Sequence, residues 1–286
     1  MPSDKMTGTL FVVGTPIGNL SDMSPRALEA LENCDFIAAE DTRVTLKLLN
    51  RFEIKKPMIS YHEHNRMERG THIAQRIAAG ENCCLVTDAG MPAVSDPGED
   101  LVRLCHEMNI PVASVPGPCA FVTALAISGM SAKRFTFEGF LSVNKVSRRE
   151  HLAQIKNVKR TMCFYEAPHK LPATLKDMAT ALGDRKIAIV REITKIHEEV
   201  IHTSLVKAAE EYADGHLRGE IVIIIEGAPE EEETPATLEE AIEFAKKQLD
   251  KGVSASEAAK LAAKATGFKK GEIYKALIDK GEKNHD

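Results

Sequence analysis

The chain has 286 residues, of which 43% are hydrophobic and 28% charged, with a formal charge of −5. That balance supplies apolar material for one or two packed cores and excludes a mainly disordered or collagen-like chain. An acidic total also excludes a protein that simply coats nucleic acid, so any contact with RNA or DNA has to come from a local patch.

Residues 10–13 are a compact apolar run ending at Gly14, a strand entering a turn. Ser24-Pro25 begins a helix, with serine in the cap role and proline at the first helical position. Strands are expected at 36–39, 58–61, 83–87 and 111–115, with a helix from about Thr42. The fourth strand runs into the loop 88–98, and the fifth ends at Pro116-Gly117-Pro118. The rhythm repeats at 135–137, 162–165, 187–190, 199–203 and 220–225, with helical stretches between the first three. Strands alternating with helices predict an α/β protein with largely parallel sheets. Nothing helical separates 190 from 199, so an antiparallel hairpin and a mixed second sheet are expected there.

Residues 227–235, with glutamate at 230–233, read as a solvated acidic spacer. Beyond it, 254–264 and 269–280 are helical patterns joined by Thr266-Gly267-Phe268, an arrangement like a helix-turn-helix. Residues 251–286 carry eight lysines and five acids. That excess points to a nucleic-acid role or to a helical cap on the body. No segment reaches the ~18 apolar residues of a membrane helix, and no signal peptide is expected at the N-terminus. The six cysteines form no C-x-x-C pair. They read as reduced, buried thiols of a cytoplasmic protein rather than a disulfide frame or a zinc site.

In an open α/β sheet, ligands sit beyond the carboxyl ends of the strands. The loops in those positions are 14–20, 40–43, 61–65, 88–98 and 116–120. Turns alone need no paired acids and histidines in succession, so these loops read as one site. No two glycines are separated by a single residue, and no glycine precedes a lysine. The dinucleotide fingerprint and the phosphate loop are therefore both excluded, and a ligand without phosphates fits better than NAD or ATP. His62 and His64 fall on one face of an extended segment, but no third ligand stands at a telling spacing, so no metal is expected. Glu40, Asp41 and Arg43 have a second reading as the acidic start of a helix. Cys119 reads as a packed thiol near a ligand.

Several short motifs stand in a fixed order. They are Gly-Thr-Pro-Ile-Gly-Asn-Leu at 14–20, Ala-Ala-Glu-Asp-Thr-Arg at 38–43, Asp-Ala-Gly at 88–90 with Asp-Pro-Gly at 96–98, and Pro-Gly-Pro-Cys-Ala at 116–120. Further on come Glu-Gly-Phe-Leu at 138–141, Phe-Tyr-Glu at 164–166, Arg191-Glu192 with Thr194-Lys195, and Gly219-Glu220. This ordered set resembles the bacterial ribosomal small-subunit RNA cytidine 2′-O-methyltransferases, within the tetrapyrrole methylase-like (class III) methyltransferases. The likeness covers about residues 8–226, and the helical tail resembles the family's C-terminal module. Val44 is a departure, since members often carry histidine there.

The resemblance implies two α/β domains, 1–118 and 119–226, an acidic linker at 227–235 and a helical module at 236–286. It implies S-adenosylmethionine in the cleft between the two domains. The cleft would be lined by Asp88, Ala89, Gly90, Met91, Val94, Ser95, Asp96, Cys119, Ala120, Tyr165, Glu166, Gly219, Glu220 and Ile221, with Pro16 facing the same space. It also implies a homodimer acting on small-subunit ribosomal RNA or on the assembled subunit.

The chemistry agrees. S-adenosylmethionine carries a sulfonium cation and a zwitterionic end but no phosphate. Positioning of nucleophile and methyl carbon can supply about 7–11 kcal/mol. A ribose hydroxyl needs a base to take its proton, and the candidates are Glu40, Asp41, His62, His64 and Glu192. Arg43, Arg191 and Lys195 could grip the adjoining phosphates. Residues 145–160 carry six cations against Glu150, so Lys145, Arg148 and Arg149 are expected to touch the RNA backbone. Two other readings stay open: a methyltransferase acting on a tetrapyrrole, and a helix-turn-helix regulator with a ligand-sensing body.

Overall fold

The structure, a computed structural model, describes residues 7–229 and 237–281. The acidic run expected to be a spacer lies, from residue 230 to 235, outside the described residues. The chain divides into two compact units, one ending at Ala228 and one beginning at Pro229.

The first unit opens with β1 (Leu10–Val13), α1 (Pro25–Asn33), β2 (Phe36–Ala39), α2 (Thr42–Arg51), β3 (Met58–Ser60), α3 (Arg66–Ala78), β4 (Cys83–Val86), α4 (Glu99–Glu107) and β5 (Val112–Val115). The five strands form one sheet in the order β3-β2-β4-β1-β5, and all their pairings are parallel. A parallel sheet is covered by helices on both faces, so its central strands are apolar throughout. Phe36, Ala38, Cys83 and Leu85 enter the core on one face. Ile37, Ala39, Cys84 and Val86 enter the core on the other. The helices begin where the chain supplies caps. Ser24 accepts from the Ala27 N–H at 3.1 Å, with Pro25 at the first helical position.

The same unit continues with α5 (Ala120–Ile127), β6 (Phe135–Phe140), α6 (Lys145–Ile155), β7 (Thr161–Glu166), α7 (Leu171–Leu182), β8 (Lys186–Arg191), β9 (Glu199–Ser204), α8 (Leu205–Glu211) and β10 (Ile221–Ile225). These strands form a second sheet in the order β6-β7-β10-β8-β9. Only β6 and β7 run parallel; β10 is antiparallel to both of its neighbours, and β8 and β9 form the antiparallel hairpin expected. The aliphatic run 221–225 is the central strand, with every residue buried. Ile221, Ile223 and Ile225 pack against α7 and α8 residues. Val222 and Ile224 pack on the other face with α5 and with Ile17 from the loop after β1.

The second unit holds α9 (Leu238–Leu249), α10 (Ala255–Thr266) and α11 (Lys270–Gly281). Its core is Ala241, Ala245, Ala258, Ala259, Ala262, Ile273 and Leu277 with Ile242. Thr237 and Glu240 form a reciprocal capping box at the start of α9, and α10 stops at Gly267 in the left-handed conformation. Among the described residues no helix is long and apolar enough to cross a membrane.

Candidate active site

The carboxyl ends of β1, β2, β4 and β5 meet the end of β7 and the start of β10 around a cavity of about 390 Å³. Backbone bonds lock the first-sheet loops together: the Thr15 N–H donates to the Gly90 carbonyl at 2.9 Å, and the Gly90 N–H returns to Thr15 at 3.1 Å. Asp88, Ala89, Gly90, Met91, Val94, Ser95, Asp96, Cys119, Ala120, Tyr165, Glu166, Glu220 and Ile221 all line the cavity. Ile17, Thr87, Phe140, Ala167, Pro168, Ile193 and Val222, which sequence reasoning missed, line it as well. Most of these stand beside an expected residue, so widening each motif by one position finds them.

Two expected lining residues are placed otherwise. Pro16 is buried and is not in the cavity wall; Ile17, one residue on, takes its place. The chain bends at Ile17, straight after the bridge between Thr15 and Gly90, and Ile17 rather than Pro16 comes to the cavity. Gly219 is also outside the wall. It sits against Glu192 with φ +94°, where an added Cβ would meet Glu192 Cγ at 2.5 Å. That glycine serves a close approach between two loops, not ligand contact.

One wall of the cavity is acidic. The Glu40 Oε2 accepts from the Thr87 hydroxyl at 2.5 Å and from the Asp88 N–H at 3.3 Å. Asp88 in turn accepts from the Asp41 N–H at 3.2 Å. Burial, reinforced by the Glu40 carboxylate, raises the Asp88 carboxyl above its ordinary value. The same two causes, in the same order, push Asp96 up to about 6. Among the described residues, no lysine, arginine or histidine lines the cavity. Ile17, Val94, Ala120, Ile193, Ile221 and Val222, with Phe140 and Tyr165, supply the apolar lining. Carboxyls raised by burial and by a neighbouring carboxylate are relieved by a cation. The residues present therefore fit the sulfonium and ammonium groups of S-adenosylmethionine.

Of the residues expected to do chemistry, only Glu40 lines the cavity. Asp41 caps α2, accepting from the Arg43 N–H at 2.8 Å and pairing with its guanidinium at 2.6 Å. That partner draws the Asp41 carboxyl down to about 2. Arg43 is otherwise in solvent. His62 and His64 lie on the loop after β3 with ring centroids 5.9 Å apart, outside the cavity lining. Asn65 accepts from the His62 N–H at 2.9 Å and helps shape that turn. Arg191 pairs with Glu199 at 2.8 Å across the β8–β9 hairpin. Lys195 bridges Glu192 at 3.0 Å and Glu220 at 2.9 Å, and this partner lowers the Glu192 carboxyl.

The basic stretch needs a correction. Lys145 is exposed at the start of α6, but Arg148 is buried. Its guanidinium donates to Asp177 of α7 at 2.9 and 2.6 Å and to the carbonyls of Ser142 and Val143 at 3.1 and 3.3 Å. It is a structural cation that ties the loop after β6 to two helices, and it is not available to RNA. The signal was in the sequence: 148, 152 and 155 are spaced i, i+4, i+7, and all three are buried. Arg149 is half-exposed and reaches Asp177 at 3.3 Å from the outside.

Comparison with known proteins agrees with this geometry. Residues 9–209 match the family described as Tetrapyrrole (Corrin/Porphyrin) Methylases. The chain is 42% identical over 273 residues to the ribosomal RNA small subunit methyltransferase I of Synechocystis sp., covering 95% of this chain and 98% of that protein. It is 42% identical over 274 residues to the protein of the same name from Bacillus subtilis, covering 94% of each. Among solved structures it resembles the methyltransferase CobJ with a TM-score of 0.59 at 19% identity, over 78% of this chain and 95% of that one. It also resembles uroporphyrin-III C-methyl transferase from Thermus thermophilus complexed with S-adenyl homocysteine, with a TM-score of 0.55 at 17% identity, over 77% and 97%. These two likenesses speak to the fold alone. The chain belongs to the tetrapyrrole methylase family and, within it, to the group formed by the small-subunit ribosomal RNA methyltransferase I proteins.

Proposed function

We propose that this chain methylates the 2′-hydroxyl of a cytidine ribose in small-subunit ribosomal RNA, using S-adenosylmethionine. The observation that carries the reading is an acidic, partly apolar cavity in a chain similar along nearly its whole length to small-subunit ribosomal RNA methyltransferases. When bound, S-adenosylmethionine supplies an electrophilic methyl carbon on a sulfonium. Asp88 and Asp96 balance that positive charge, while Ile17, Ala120, Ile193, Ile221 and Val222 exclude water from the site.

The proton of the ribose hydroxyl needs an acceptor at the cavity. Asp41 and Glu192 are poor ones, because Arg43 and Lys195 hold their carboxyls in the ionised form. His62 and His64 lie outside the lining. Glu40 remains, with Oε2 fixed by Thr87 and Asp88 and Oε1 left to receive the proton. Arg43 and Lys145, both exposed, contact the RNA backbone, as do Arg149 and the α9–α11 unit. The reading places the protein in the cytoplasm as a homodimer.

The test uses purified chain and labelled S-adenosylmethionine with small ribosomal subunits, naked small-subunit RNA and a tetrapyrrole. Label in RNA, mapped to one alkali-resistant cytidine linkage, is the expected outcome. Label in the tetrapyrrole alone overturns it.

A further inference from the structure

One part of the cavity wall has no task in the chemistry above. β6 pairs Phe137 with Cys163 but Gly139 with Phe164, so Glu138 is an extra residue in a β-bulge. Gly139 has φ +65° and open space where a Cβ would stand. The demand there is for a left-handed backbone rather than for room. The extra residue shifts the alternation by one, and Phe140 comes opposite Tyr165. Phe140 thus shares the face of Phe137 instead of pointing away from it.

The ring is firmly backed. Phe140 lies 5.3 Å from Tyr165, Tyr165 meets Phe137 edge-on at 5.1 Å, and Phe137 stacks on Phe121 at 4.2 Å. The Phe121 N–H donates to the Tyr165 hydroxyl at 3.2 Å, which fixes that ring against α5. Phe140 itself lines the cavity and is still 56% exposed. A bulge that carries a large apolar ring to a half-open rim sacrifices burial a core would offer, so a ligand is the natural cover for it.

Charge selects the ligand. Of the five carboxylates that line the cavity, Glu166 accepts from the Ala167 N–H and the Thr174 hydroxyl and Glu220 is paired with Lys195; the other three, Glu40 after β2 and Asp88 and Asp96 after β4, come from the first sheet. Phe140 comes from the second sheet and leads within a few residues to exposed Lys145 and half-exposed Arg149. The buried Arg148 holds the connecting loop through the Ser142 and Val143 carbonyls. An aromatic ring followed in the chain by exposed cations suits single-stranded nucleic acid, base on ring and phosphate on cation.

We propose that Phe140 is the stacking platform for the base of the target nucleotide and belongs to the RNA site rather than to the methyl-donor site. This rests on the RNA methyltransferase reading, so the wild-type chain is first shown to methylate RNA; failure at that step overturns the reading itself. The variants are then Phe140→Ala, Phe140→Leu and Phe140→Trp. Each is measured for its KM toward the RNA substrate and, by calorimetry, its Kd for S-adenosylhomocysteine. Alanine and leucine should raise the RNA KM roughly 5- to 100-fold, the scale of one lost base–aromatic stack. Tryptophan should restore it, and the S-adenosylhomocysteine Kd should stay within about twofold throughout, which also reports that the fold is intact. Leucine keeps the apolar volume without a π-face, so it separates stacking from packing if alanine perturbs the strand. An unchanged RNA KM overturns the proposal. So does a matching loss of S-adenosylhomocysteine affinity, which would assign the ring to the adenine of the donor.

Discussion

The two sheets of the first unit build the same cavity by different means. In the first, all pairings are parallel, so every strand ends at one edge and the loops after β1, β2, β4 and β5 converge there by topology. In the second, β10 runs against β7 and β8. The cavity is therefore met by the end of one strand and the start of another, and by a ring delivered through a bulge. A parallel sheet lets a reader assign the site from strand order alone. A mixed sheet does not, because pairing decides which ends meet.

The contrast extends to charge, and four measurements test it. The largest effect is expected at Arg148. Removing one member of its buried pair with Asp177 costs about 3–5 kcal/mol. Arg148→Ala should lower the denaturation midpoint sharply, whereas Arg149→Ala should barely move it; equal shifts would return Arg148 to the surface patch. Next comes Glu40→Gln, expected to reduce kcat by about 100-fold or more as a lost proton acceptor. Its fold is checked by retained S-adenosylhomocysteine binding, and full turnover would remove Glu40 from the chemistry.

Asp96 gives a pH signature. Its carboxyl stands near 6 in the folded chain and at the ordinary aspartate value when unfolded, so between those values the folded state holds more proton. Its contribution to stability therefore declines as pH rises through that window, and Asp96→Asn should flatten the decline in pH-dependent denaturation. A cationic donor favours the ionised carboxylate, so donor affinity should fall as pH drops below about 6, with proton release on binding seen by calorimetry in two buffers; proton uptake would overturn this role for Asp96. The smallest effect is at Lys145. Lys145→Glu should weaken RNA binding across sequences and lower the salt slope by roughly 1, with no change in donor affinity.

Much of the site was legible because polar loops after apolar runs follow from a simple rule. Asp88 and Asp96 were readable as cavity residues from their place after the fourth strand. Pro16 and Gly219 were not separable from their neighbours. Which of two adjacent residues faces a ligand depends on backbone direction at that point, and a motif does not carry it. The catalytic candidates spread too widely for a related reason. Asp41, Glu192 and Lys195 have the right side chains, but their chemistry is set by partners, Arg43 two residues away and Glu220 twenty-five residues away.

The alternation of strands and helices, the cap at Ser24, the antiparallel hairpin and the lack of glycine-rich phosphate-binding motifs can all be read from the chain. These depend on periodicity and on local backbone chemistry, which act over a few residues. It took the folded chain to settle that Asp177 is the partner that holds Arg148, that Ile17 rather than Pro16 meets the cavity, and that Phe140 is turned to its rim. Those outcomes depend on which distant groups share a low-dielectric space, and that is set by packing across the two sheets rather than by any single stretch of chain.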